Sequence, residues 1–291
     1  MSAATADVAG RPRAARRRPG VGTIYAWELR KLRLQKRTYL GLGAAAAVPL
    51  IFIVALLLNG SNGGGDGEIP FERYVRETGL AIPLVGLFFG SIWLFPLITA
   101  LVAGDIVATE DNHGTLKTIL TRSVDRWQVF VAKTLAALTY AFAALVVFVL
   151  VGLVVGGVIW GFDPLVSLSG THIPVGRGLL LLAATTVAYF IPIIAIAAIA
   201  LLLSTVTRNS AAAVVGTLMF SLVLQLLGVI SALNFLQPYL LSTQFNAWQG
   251  LLREPADWAP VVRAAWVSAA YALPALAISF TAFLRRDVAG G

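Results

Sequence analysis

The chain is 291 residues long, 58% hydrophobic and only 12% charged, with a mean hydropathy of +0.83, values that exclude an ordinary soluble globular domain. It contains no cysteine, which rules out disulfides, thiolate metal sites and a cysteine nucleophile. The net charge of +8 would suit nucleic acid if it covered a soluble face, but the basic residues crowd the N-terminal stretch beside the first apolar run, a pattern that fits a membrane surface.

The apolar runs reach or exceed the roughly 20 residues that a helix needs to cross a bilayer. Backbone groups in lipid are satisfied only in helices or closed barrels, and the ten-residue alternation of barrel strands is absent. The expected fold is therefore all-α: a polytopic membrane protein with six transmembrane helices in one domain over residues 23–291. Residues 1–22, ending in RPRAARRRPGVG, are basic and lack apolar period, and read as a flexible cytoplasmic tail. A twin-arginine export signal fits less well, because the apolar run that follows has full span length and no small-residue cleavage pattern behind it.

In TIYAWELRKLRLQKR, residues 23–37, Arg30, Arg33 and Arg37 share one helical face, while Ile24, Tyr25, Trp27, Leu29, Leu32 and Leu34 fill an opposite arc broken by Glu28 and Lys31. This pattern predicts a helix lying in the cytoplasmic interface, with Trp27 at headgroup depth and Arg30 and Arg33 toward lipid phosphates. Spans are expected over residues 38–58, 80–103, 129–159, 179–203, 211–233 and 260–283. The third run is longer than a bilayer requires, so Lys133 near its start is expected to extend into the interface. Of the 22 lysines and arginines, all but Arg73, Arg76, Arg177, Arg253 and Arg263 fall on the side of the N-terminus, which predicts both termini inside a plasma (cytoplasmic) membrane. Residues 234–259 interleave Phe235, Leu236, Tyr239, Leu240, Leu241, Phe245, Trp248, Leu251 and Leu252 with polar residues and Pro238. They are expected to form short helices re-entering the outer interface before span six.

Chemistry is conspicuous by its absence. The span cores hold no Asp, Glu, Lys, Arg or His, and Asp105 is expected at the water-accessible end of the second span, leaving little for a proton-coupled carrier to use. There is no H-E-x-x-H and no phosphate-cradling G-x-x-x-x-G-K-[ST] loop. His113 and His172 fall on opposite sides of the membrane in this topology, so no shared metal is expected. Gly86/Gly90, Gly152/Gly156 and Gly157/Gly161 have the spacing that lets helices approach closely.

The one long polar interruption is ATEDNHGTLKTILTRSVDRW, residues 108–127. Gly114 can relieve a tight turn, Thr115 can cap a helix, and Leu116, Ile119 and Leu120 recur at i, i+3, i+4. Such a short amphipathic helix exceeds what a plain connector needs. The run from Glu110 through Gly114, Thr115, Leu116 and Arg126 to Lys133 resembles the signature segment of ATP-binding-cassette (ABC) transporter permeases of the type-2 exporter class, with Ser123 where that pattern often has Pro. The resemblance implies that residues 105–128 carry a coupling helix seated in a separate ABC ATP-binding subunit. It assigns docking to Glu110, Gly114, Thr115, Leu116, Ile119, Leu120 and Arg126, with the helix around Trp27, Arg30 and Arg33 as a second contact. It further implies a second permease copy, in a homodimer or heterodimer, and a chain that is not catalytic and binds no cofactor or metal itself, ATP and Mg being held by the partner. The competing expectation is a secondary carrier or channel without an ATPase.

Overall fold

The computed structural model describes residues 19–59, 77–112, 124–166 and 170–285. The expected docking helix, with Gly114, Thr115, Leu116, Ile119 and Leu120, lies outside the described residues, as do His113, Ser123 and most of the basic tail.

Helix α1 (Val21–Leu34) buries Ile24, Glu28 and Leu32, an i, i+4, i+8 stripe. At Gln35 the backbone turns extended (φ −92°, ψ 128°), separating α1 from α2 (Lys36–Asn59), whose core is almost entirely apolar. The second apolar run is not the continuous span expected over residues 80–103. It forms two ten-residue helices, α3 (Ala81–Gly90) and α4 (Leu94–Ala103), bent by 66° across residues 91–93. Pro96, the third residue of α4, has no N–H to donate, and its ring would collide with the Ile92 carbonyl in an unbroken helix. The Ser91 hydroxyl donates to the Phe88 carbonyl at 2.8 Å at the break.

A turn leads to the short α5 (Ala108–Asn112), and α6 (Arg126–Trp160) then runs for 35 residues until Gly161 adopts φ 74°. A two-residue antiparallel hairpin, β1 (Leu165–Val166) with β2 (His172–Ile173), precedes α7 (Val175–Thr207). Asn209 caps α8 (Ser210–Val229) by accepting from the Ala212 N–H at 3.1 Å. Short helical segments follow at Ser231–Leu233, Gln237–Tyr239, α9 (Leu241–Gln244) and Ala247–Leu252, before α10 (Ala259–Leu284). Among the described residues five helices are long and apolar enough to cross a membrane, and α3 with α4 makes a sixth if the bent pair is one span. The chain is thus an all-α, multi-pass membrane protein.

The centre is α7, the most buried of the long helices, packed closely along α10. An aromatic column crosses it: Phe95 lies 5.3 Å from Phe148 and 5.2 Å from Tyr189, and Tyr189 lies 5.2 Å from Phe245. The Tyr189 hydroxyl donates to the Leu87 carbonyl at 2.9 Å, just before the break between α3 and α4. The glycine spacing serves contacts within the chain. A Cβ on Gly79 would meet the Gly156 carbonyl carbon and the Gly157 nitrogen at 2.4 Å, and one on Gly86 would meet the Phe148 ring at 2.8 Å.

The bundle has two chemically distinct ends. One gathers α1, residues 104–112, the start of α6, the α7–α8 turn and the end of α10; the other gathers the start of α3, the hairpin and the segments from Ser231 to Asp257.

Candidate functional site: buried charges where the helices converge

The buried stripe of α1 carries an ionisable residue into the protein, since Glu28 is only 4% exposed. A carboxylate so placed is costly unless it is paired, and it is paired twice. Its Oε1 lies 2.8 Å from Lys31 Nζ and its Oε2 lies 3.3 Å from Lys133 Nζ. Glu110, at the start of the 110–133 motif, closes a ring: Oε1 lies 2.7 Å from Lys31 and Oε2 lies 2.8 Å from Lys133. Two acids and two bases alternate, so the ring is electrically neutral.

Lys133 has no exposed surface. Its ammonium meets Glu28, Glu110 and the Ile106 carbonyl, the last at 3.0 Å. The expectation that it reaches out to the interface is therefore corrected: its partners lie inside, at the mouth of α6, and a lysine that satisfies its donors internally has no reason to seek water. Lys31 is half-buried. Burial alone would lower its pKa, but the carboxylates of Glu110 and Glu28 outweigh that effect and raise it, so it stays charged at neutral pH.

A second cluster adjoins the first. Asp105, expected in water, is only 3% exposed. Its Oδ1 pairs with Arg37 of α2 and accepts from the Thr109 and Ser210 hydroxyls, which replace the water it has lost. The Ala108 N–H donates to Ser204 Oγ of α7 at 3.0 Å. Residues 105–110 are consequently tied to α1, α2, α6, α7 and α8 at once, immediately before the segment where docking was expected. A cleft of about 30 Å³ separates the two clusters, lined by Glu28, Lys31, Gln35, Asp105, Thr109 and Glu110, room for about one water.

The remaining expected residues divide. Arg126 donates to the Leu284 carbonyl at 2.7 Å, satisfying the C-terminal end of α10. Trp27, Arg30 and Arg33 are exposed on α1, away from the stripe that meets Glu110, so α1 joins the site through Glu28 and Lys31. Those two residues, with Asp105 and Arg37, were not assigned to a site by sequence reasoning, and Lys133 entered it only as the end of the signature segment. The available signal was a Glu–Lys pair interrupting an apolar arc and a solitary lysine in an apolar run. Among the described residues no group of three or more His, Asp or Glu side chains is arranged to hold a metal ion.

A family model described as "Protein of unknown function (DUF2705)" matches residues 48–289. The chain belongs to this family. No curated protein matches its sequence. The DUF2705 match takes in α3 through α10 and the second half of α2, and thus Asp105, Glu110 and Lys133, whereas α1 with Glu28 and Lys31 precedes it. The site accordingly joins a helix outside the matched region to the family's own spans. Each ionic group in it has an opposite charge at contact distance, and the pairs link α1, α2, residues 105–110 and α6.

Proposed function

We propose that this chain is the membrane-spanning permease subunit of an ABC transporter of the type-2 exporter class. It is driven by ATP hydrolysis in a separate nucleotide-binding subunit that docks on the cytoplasmic loop 105–128. The observation that carries the reading is the 2.8 Å ion pair between Glu110 and Lys133. The sequence resemblance rests on both residues, 23 positions apart in the chain, and their contact gives that spacing a physical purpose. It clamps the root of the docking segment to the mouth of α6, so a push on Gly114, Thr115, Leu116, Ile119 or Leu120 is passed to the spans through Lys133, Asp105 and α1. Coupling of this kind needs a two-state element that the partner biases, and in this reading the paired charges shared by several helices are the contacts it remakes.

In this reading both termini and the charge clusters face the cytoplasm, and two permease copies enclose the path. The segments between Ser231 and Leu252 re-enter the membrane from outside. Tyr189 is the fifteenth residue of α7, about 20 Å along it at 1.5 Å per residue, and Phe245 packs edge to face against it there, which supports that placement. A carrier without an ATPase is the second reading, favoured by the burial of Asp105 and Lys133; its weakness is that both groups are engaged by opposite charges.

The test is co-purification of the tagged chain from its native membrane. An ATP-hydrolysing subunit is expected with the wild type and lost in Gly114→Pro and Leu116→Asp variants that remain folded. Full partner occupancy in both variants would sink the docking assignment.

A further inference from the structure

At the opposite end of the bundle a cleft of about 230 Å³ opens between the short helical segments and the start of α10, lined by Gln237, Thr243, Gln244, Asn246, Pro260 and Arg263 among others. Its polar groups are unevenly satisfied. The Gln237 amide nitrogen donates to the Gly228 carbonyl at 2.9 Å, and that of Gln244 donates to the Pro238 and Leu240 carbonyls at 3.0 and 2.9 Å, so these amides brace the wall. Asn246 Oδ1 is buried with no hydrogen-bond partner, an unusual state for a native polar atom. Arg263 is exposed and makes no side-chain hydrogen bond or ion pair among the described residues, unlike Arg177, which pairs with Glu254 at 3.0 Å. Arg263 does not serve its own helix either, because it sits near the N-terminal end of α10, where the helix dipole disfavours a cation.

The rim differs from the floor. Tyr239 and Trp266 meet edge to face with ring centroids 5.8 Å apart beside the cleft, and both are about half exposed, as is Trp258. Val262, Trp266 and Leu273 continue along the outer face of α10, each at least 50% exposed. Amphipathic rings around a cation, with an apolar track leading away, match the profile of a bilayer's headgroup layer. We infer that this cleft binds the phosphate-bearing headgroup of a membrane amphiphile, with Arg263 as the donor to the phosphate and the acyl chain lying along Val262, Trp266 and Leu273. The guanidinium offers paired N–H donors in the geometry that phosphate accepts. The inference does not depend on whether an ATPase drives the chain.

Trp266 is a local reporter. In the full-length protein in neutral detergent micelles, its emission is isolated as the difference between wild type and Trp266→Phe, and quenching is followed with phosphatidylglycerol or diacylglycerol carrying brominated acyl chains. Phosphatidylglycerol is expected to quench at roughly fivefold lower mole fraction, the factor equivalent to about 1 kcal/mol for one basic residue at an anionic headgroup. The two titrations should coincide in Arg263→Gln, while Arg253→Gln, at an exposed arginine outside the cleft, should keep the preference. Coincident titrations in the wild type, a preference that survives Arg263→Gln, or equal losses in the two arginine variants would overturn the inference. Reversal by millimolar inorganic phosphate would assign the cleft to free phosphate and overturn the lipid source, whereas insensitivity to phosphate supports it.

Discussion

Lys133→Met removes the one ammonium of the ring that has no contact with water while nearly preserving side-chain volume. The wild-type ring of Glu28, Lys31, Glu110 and Lys133 is neutral; the variant leaves two buried carboxylates sharing Lys31, and the Ile106 carbonyl loses its donor. Breaking a buried pair by deleting one partner costs about 3–5 kcal/mol, because the stranded charge keeps its desolvation penalty. Lys31→Met deletes the same number of ionic contacts, but its side chain is 42% exposed, so water can take over and the cost should be nearer 1 kcal/mol. Combining Lys133→Met with Glu110→Gln restores neutrality, and the double variant should be more stable than the sum of its parts by about 1–3 kcal/mol. The assay is denaturant unfolding of the purified protein in detergent micelles, followed by tryptophan emission. If Lys133→Met falls within about 0.5 kcal/mol of wild type, or if the two lysine variants are equally destabilised, the claim that burial makes this ring costly to break is wrong.

Asp105→Asn should retain the hydrogen bonds from Thr109 and Ser210 but lose the charge facing Arg37. Since Arg37 is 38% exposed, the expected cost in the same unfolding assay is only about 1–2 kcal/mol. Gly79→Ala drives a methyl group into the backbone of Gly156 and Gly157 and should destabilise by about 1–3 kcal/mol or more. By contrast Gly43→Ala, where nothing lies within 4 Å of the new Cβ inside α2, should be neutral or stabilise by up to about 1 kcal/mol; the melting curve should fall for Gly79→Ala and hold or rise for Gly43→Ala. Tyr189→Phe should cost about 0.5–1.5 kcal/mol through loss of its hydrogen bond to Leu87, with the aromatic column intact in near-ultraviolet circular dichroism.

The long helices were legible because lipid imposes a length and a composition that a single run of sequence displays. Helix α10 begins at Ala259 where Pro260 was expected, and α2 begins at Lys36 rather than Thr38. The bend between α3 and α4 escaped the same reasoning, since hydropathy is uniform across residues 80–103 and only Pro96, following Gly90 and Ser91, marks the fault. The charge ring was illegible for another reason. Glu28 and Lys133 are 105 residues apart, and a lone lysine in an apolar run is equally compatible with reaching outward to water or inward to an acid. Periodicity read α1 as a lipid-facing arc; the stripe that is buried runs through Ile24, Glu28 and Leu32 and leaves Trp27 and Leu34 exposed. That stripe brings Glu28 to Lys133, a long-range contact that no local pattern encodes.

In the proposed function another molecule supplies the energy and grips this chain through the segment after Glu110. Because the chain has no cysteine, Leu116→Cys gives a unique anchor for a photocrosslinker in native membranes, and an azido-ATP label then identifies the nucleotide-binding species. The expected result is a crosslinked product in which the ATP label resides on a second polypeptide, and no such product from Val229→Cys at the opposite end. Label on the chain itself, or no labelled product from position 116, would contradict it.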